Sequence, residues 1–187
     1  MPTIDLAPNS PFNCVRVKGL RPRKSSLFQE ALERLHALGG SSQILDALGV
    51  AGLEHMATAA RLTAASFGSG KNLARSPATE FLLYASASRQ IKEAISRLGV
   101  NSSSSSWVLI TIQDTFIASQ KATELFLSYG SGDDRLMGIT PKKRAHLMEL
   151  YGICGEELAF AKTIHGSSDS ALKALVMERV ALSELYR

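Results

Sequence analysis

The segment WVLITI at residues 107–112 constrains the fold of this chain more than any other stretch. It combines an aromatic residue, β-branched residues and an unbroken apolar run, which is typical of a strand in the middle of a sheet. The surrounding segments are mostly helical in their apolar spacing. We therefore expect an α/β (α+β) fold in which helices surround a small central sheet of about four strands.

Apolar spacing, helix caps and turn residues predict the elements around this strand. Alternating apolar residues predict a strand at residues 12–17, and the apolar run after Pro77 predicts another at residues 79–85. Residues 42–48 are ambiguous, and the serine run at 102–106 is predicted to be a solvated, dispensable loop. Helices are predicted at residues 25–38, 52–67, 88–98, 116–129, 140–151 and 168–187.

The length and composition are those of one globular unit. With 187 residues, of which 45% are hydrophobic, the chain can bury one core, and we expect a single domain at residues 13–187 after a loose, dispensable N-terminus at residues 1–12. No apolar run approaches the roughly 20 residues that cross a bilayer, so no membrane partner is expected. The N-terminus does not have the order of a secretory signal, and Cys14 and Cys154 form no CxxC pair, which favours the cytoplasm. The sequence leaves the oligomeric state open.

Positive charge is concentrated in one segment. Between Arg61 and Arg97 there are six cations and two acids, so this segment alone carries an excess of four, equal to the formal net charge of the chain. A local excess of this kind attracts an anionic partner, and nucleic acid is the first candidate.

Three of these cations, Lys71, Arg75 and Arg89, flank the strand predicted at residues 79–85. Phosphate oxygens can accept hydrogen bonds from such cations, from Asn72 and from free backbone N–H groups, while Gly70 permits close approach. The residues alone are equally compatible with a solvated loop in which Arg75 or Arg89 pairs with an acid, Glu80.

Catalytic and metal-binding motifs are missing from the sequence. The loop around Lys71 resembles a P-loop, but the first glycine of that motif would stand at Ala65, Asn72 replaces the Ser or Thr, and the loop follows a helix. The four histidines form no HxH or HExxH pattern and no cluster with cysteine. We therefore expect no catalytic residue, no metal and no cofactor.

The last helix is the second candidate site. Its apolar face is broad, and such a face at a chain end can either close the protein's own core or dock on a partner. The residues that define this face are Leu172, Leu175, Val176 and Val180.

An ordered set of motifs carries a family resemblance. VAGLEH at residues 50–55, GSGKNLAR at 68–75, ATEFLLYASASRQIKEAI at 78–95, and LGV followed by WVLITI resemble the small accessory subunit of the KEOPS complex, especially its archaeal members. The similarity runs from about Asn13 to the C-terminus. It implies an α/β fold without catalysis and binding to the small atypical kinase/ATPase subunit of a complex that makes threonylcarbamoyladenosine in tRNA.

In archaeal members the resemblance also implies recruitment of tRNA by its 3′ CCA end. The tRNA contacts would then be Lys71, Asn72, Arg75 and Arg89, with Gly70 allowing approach. We assign the kinase-subunit interface to the apolar face of the last helix from its pattern alone. Two other readings remain: a small enzyme that binds a phosphorylated metabolite through Lys71 and Arg75, and a protein adaptor that does not bind RNA.

Overall fold

The computed structural model describes residues 2–6 and 10–185 of the chain. Its strands are β1 (Thr3–Ile4), β2 (Cys14–Pro22), β3 (Ser41–Asp46), β4 (Trp107–Gln113) and β5 (Gly130–Gly132). Its helices are α1 (Phe28–Ala37), α2 (Leu53–Gly68), α3 (Pro77–Ala85), α4 (Ile91–Leu98), α5 (Phe116–Leu127), α6 (Pro141–Tyr151), α7 (Gly155–His165) and α8 (Ser168–Leu182).

All pairs of neighbouring strands in the sheet are antiparallel. The strand order is β1-β2-β4-β3, and β5 pairs with the last residues of β2, whereas β1 pairs with earlier residues of that strand. In the centre of the sheet, Val17 lies opposite Ile110 and Ile44 lies opposite Leu109. Every residue of β4 is buried, because helices cover both faces of the sheet at this strand. The prediction of a central strand at residues 107–112 is therefore confirmed, in a sheet of five strands instead of about four.

Alternation along the strands divides the core between the two faces of the sheet. Trp107 and Leu109 pack with α1 and α5 on one face, whereas Val108 and Ile110 pack with α2, α3 and α4 on the other. Helices α6, α7 and α8 build a third apolar cluster, and α8 contacts both α2 and α3. The mixed α/β single-domain fold predicted from the sequence is confirmed.

Residues 79–85 are helical, so the strand predicted there is wrong. Ser76 is the N-cap of α3, its side chain accepts a hydrogen bond from the backbone N–H of Thr79, and Pro77 is the first helical residue. Seven of the nine residues of α3 are buried, because sheet, α2 and α8 surround the helix. A helix that is buried on all sides has no polar face, and its short apolar run resembles a strand.

Other segments also differ from the expectations. Part of the N-terminus that was expected to be loose forms β1, in which Ile4 is buried against the core. The ambiguous residues form β3, and α7 was not predicted, because its buried side is narrow. Ser104 of the serine run is buried, and its hydroxyl donates to Asp46 at 2.5 Å, so this loop is not merely solvated. The last helix ends at Leu182, and residues 186–187 of its predicted range lie outside the described residues.

Across the described ranges, none of the helices combines the length and apolarity that a membrane span requires.

Candidate functional site

The loop at residues 69–76 joins α2 to α3 and contains most of the predicted RNA contacts. Gly70 has a φ of +68°, and nothing lies within 4 Å of the position of an added Cβ, so the chain turns there with open space around it. The backbone N–H of Lys71 donates to Ser66 O at 2.9 Å, which closes the end of α2. Asn72 Nδ2 donates to Ala74 O at 2.9 Å, so this side chain shapes the loop itself.

A buried carboxylate on α3 holds the loop backbone. Glu80 Oε2 accepts hydrogen bonds from the backbone N–H groups of Leu73 at 3.0 Å and Ala74 at 2.7 Å, and Ser66 Oγ donates to Oε1 at 3.3 Å. These two backbone N–H groups are therefore not available to bind phosphate. The sequence contained one sign of this role, since an acid inside the apolar run of α3 needs buried hydrogen-bond partners.

The three cations predicted to contact RNA have no ion-pair partner in the part of the chain that the structure describes. Lys71, Arg75 and Arg89 are exposed, and across residues 2–6 and 10–185 none of their side chains makes an ion pair or a hydrogen bond. The exposed Leu73 lies between the first two cations and is 50% accessible. The loop thus presents unpaired positive charge beside an apolar side chain.

Arg89 does not join the other two cations. Arg75 comes two residues before α3 and Arg89 comes four residues after it. A helix of nine residues is roughly 13 Å long at a rise of about 1.5 Å per residue. The structure therefore brings Gly70, Lys71, Asn72 and Arg75 together on one loop and places Arg89 at the opposite end of α3, near the start of α4.

The four α8 side chains assigned to a kinase interface lie inside the protein, so that assignment is wrong. They are at most 8% exposed. Three of them pack with residues such as Ala51, Leu147 and Tyr151 in the third apolar cluster, and Val180 packs in the main core. Their burial follows from the contact of α8 with α2, α3 and α6. The residues removed from the predicted kinase interface are Leu172, Leu175, Val176 and Val180.

Other side chains of the α7–α8 hairpin are exposed and apolar. Phe160 and Ile164 on α7 are 71% and 67% exposed, and Leu182 and Leu185 at the end of α8 are 36% and 74% exposed. We group these four residues under the name α7–α8 surface: Phe160 and Ile164 lie one turn apart on α7, and Leu182 and Leu185 lie at the end of α8 that is farther from the turn between the two helices. The ion pair between Glu157 and Arg179, at 2.5 Å, joins the two helices. The spacing of Phe160 and Ile164, four residues apart on one side of a helix, was the sequence pattern that could have indicated this surface.

A second buried polar cluster is structural. His55 Nε2 donates to Ala85 O at 2.8 Å, and its Nδ1 accepts from the backbone N–H of Ala51 at 3.1 Å. The Tyr151 hydroxyl lies 2.9 Å from Ala85 O and 3.1 Å from Gly49 O. Burial lowers the pKa of His55 to about 4, so the imidazole is neutral at physiological pH. Within the described ranges, no three His, Cys, Asp or Glu side chains are grouped so that they could hold a metal ion.

Comparisons with known proteins agree with the resemblance seen in the sequence. A search of curated proteins finds no match. The family model of the kinase binding protein CGI-121, however, matches residues 28–184, a range that includes the loop between α2 and α3, α7 and all of α8. We conclude that this chain belongs to the CGI-121 family of kinase-binding proteins, the family of the KEOPS small subunit.

Proposed function

We propose that the protein is a non-catalytic subunit of a KEOPS-type tRNA-modifying complex, which binds the kinase-like ATPase subunit and the 3′ CCA end of tRNA. Membership of a kinase-binding family supports the kinase part of this proposal. The observation that supports the RNA part is the pair of exposed cations Lys71 and Arg75, which have no ion-pair partner among the described residues, on a loop that Glu80 holds in place.

A single-stranded RNA end suits this loop chemically. It offers closely spaced phosphates together with unstacked bases. Lys71 and Arg75 supply charge for the phosphates, and the exposed Leu73 supplies apolar contact for a base. Asn72 and Gly70 shape the loop, and Arg89, on the far side of α3, contributes through the long-range potential.

The kinase subunit docks on the α7–α8 surface in this proposal. Large exposed apolar side chains are the usual energetic centre of a protein interface, whereas the buried α8 residues cannot reach a partner. Phe160 is the anchor, because it is the aromatic residue of the surface and is 71% exposed.

A phosphometabolite enzyme is less well supported. Such an enzyme needs a general base or a nucleophile close to the phosphate clamp. The loop at residues 69–76 contains no carboxylate, histidine or cysteine, and the carboxylate that reaches it, Glu80, is occupied by backbone N–H groups.

The RNA part is tested by titrating the protein with intact tRNA and with tRNA that lacks its terminal CCA, at several salt concentrations. We expect weaker binding without CCA. We also expect the double variant Lys71→Gln, Arg75→Gln to lower the slope of log affinity against log salt by about 1.4, since each phosphate contact on a single strand contributes about 0.7. The double variant Arg23→Gln, Lys24→Gln removes two exposed cations elsewhere and is the matched control.

Equal affinity for the two tRNAs, or equal losses in the two double variants, would mean that binding is nonspecific attraction. Either result rejects the CCA site on this loop.

The kinase part is tested by calorimetric titration of the purified kinase subunit. Phe160→Ala and Leu182→Ala should each weaken binding, the first by roughly tenfold or more, as for an interface hot spot. Phe116→Ala removes an exposed phenylalanine from the other face of the sheet and should have no effect. Leu172→Ala should instead lower the free energy of unfolding by about 2–5 kcal/mol. Unchanged kinase affinity in both surface variants would exclude the α7–α8 surface.

A further inference from the structure

We infer that Phe116 and Arg16 form a stacking site for a nucleobase of the same single-stranded RNA, at the end of the sheet where the loop at residues 69–76 also lies. The inference rests on the proposed RNA-binding function and extends it to residues that no sequence motif indicated. The site consists of an exposed aromatic ring with a cation stacked on one of its faces.

Phe116 is the first residue of α5 and is 57% exposed. The guanidinium carbon of Arg16, on β2, lies 4.7 Å from the centroid of the Phe116 ring. In the described residues the Arg16 side chain has no ion pair or hydrogen bond, and its buried Nε has no partner. The pair therefore combines an accessible ring with a charge that has no counter-ion among the described residues.

A line of contacts connects this pair to the loop. Phe67, in the last turn of α2, stacks edge-on against Phe12, with ring centroids 5.6 Å apart. The next residue, Asn13, donates through Nδ2 to Asp114 O at 3.0 Å, and Phe116 follows two residues later. Because α2 and α5 lie on opposite faces of the sheet, an RNA strand that extends from the loop would cross the end of the sheet at Asn13.

Charge distinguishes this ring from the other exposed phenylalanine. Phe160 follows Glu156 by one helical turn, and this acid has no ion-pair partner among the described residues, whereas Glu157 is paired with Arg179. A free carboxylate beside the ring repels phosphate, which fits a protein partner. Phe116 instead has the Arg16 guanidinium over its ring, and across the described residues this cation has no ion-pair partner. Aromatic rings beside cations are the usual platform on which proteins stack the bases of single strands.

The test is a binding titration of the full-length protein with a single-stranded RNA hexamer ending in CCA, and with the same hexamer whose last three nucleotides lack their bases. Wild-type protein should prefer the complete hexamer. Phe116→Ala should weaken its binding by about 5-fold to about 150-fold, the range for one lost stacking contact, and should lose part of the preference for bases. Phe116→Trp should keep both the affinity and the preference for bases of the wild type. Phe160→Ala should bind the hexamer as the wild type does.

Arg16→Gln should weaken binding and also lower the salt slope, by about 0.7. Unchanged affinity in Phe116→Ala, or an equal loss in Phe160→Ala, overturns the inference. If the Lys71, Arg75 double variant loses affinity while Phe116→Ala does not, the proposed function stands and only this site fails. If complete and abasic hexamers bind equally and none of the variants differs, both fail.

Discussion

Replacing Glu80 by Leu should separate the loop at residues 69–76 from α3. The carboxylate accepts the backbone N–H groups of Leu73 and Ala74 at 3.0 and 2.7 Å. Leucine has a similar size but no acceptor, so both donors lose their partner inside the protein. The Ala74 N–H is buried and costs about 1–3 kcal/mol when it is left unsatisfied, whereas the Leu73 N–H is only partly buried and can bond to water, so the expected loss of stability is about 1–3 kcal/mol.

Glu80→Gln is a milder change at the same position. Glutamine keeps one acceptor oxygen but loses the charge, and hydrogen bonds to a charged acceptor are about twice as strong as neutral ones. We therefore expect about half of that loss, roughly 0.5–1.5 kcal/mol, for this variant. Glu33→Gln changes an exposed carboxylate without an ion pair in the described residues, and its effect should stay within about 0.5 kcal/mol.

Urea unfolding followed by circular dichroism measures these free energies, provided the slope of free energy against denaturant is unchanged. Hydrogen exchange provides the local measurement, since the amides of Leu73 and Ala74 should lose protection in Glu80→Leu. Wild-type stability together with wild-type protection of both amides would refute the role of the carboxylate as the anchor of the loop.

Two further predictions concern pH. Burial holds the pKa of His55 at about 4, below the 6.5 of an exposed histidine, so stability is complete above pH 6.5 and should fall by up to about 3 kcal/mol as the pH drops towards 4. Urea unfolding at pH 7 and pH 4.5 measures this loss of stability. The loss should be smaller in His55→Gln but unchanged in His36→Gln, which alters an exposed histidine. Equal losses in the two variants would contradict the role of His55. Burial also lowers the pKa of Lys143 from 10.5 to about 8, so the unfolded chain binds more protons between these values and stability should rise from pH 8 to pH 9.5. Lys143→Met should remove this rise, and a rise that persists would show that other groups cause it.

The parts of the fold that the sequence predicts correctly are those with an unambiguous local pattern. The apolar run at Trp107 has no polar face, and a strand covered on both sides needs none. Helix α6 begins at Pro141 after a threonine cap, which the sequence shows directly. Helix α3 also begins with a cap and proline, at Ser76 and Pro77, but its burial on all sides removes the periodicity that would have identified it.

The candidate site was harder to predict, because it depends on what surrounds each element. Whether Arg89 lies beside Lys71 or at the other end of α3 follows from the structure of the segment between them, which periodicity did not reveal. The apolar positions of α8, such as Leu172, have the same pattern whether a helix covers them or they face solvent. Only the contacts of α8 with α2, α3, α6 and α7 decide that they are internal.

Helix α3 is held at both ends, by the Glu80 carboxylate near its start and by the Ala85 carbonyl that His55 and Tyr151 reach near its finish. A ligand that arrives at the loop therefore meets a surface that has already taken its shape. Diffusional encounter, and not refolding of the protein, should then limit the rate of association. Substitutions on this surface should change mainly how long the ligand stays bound.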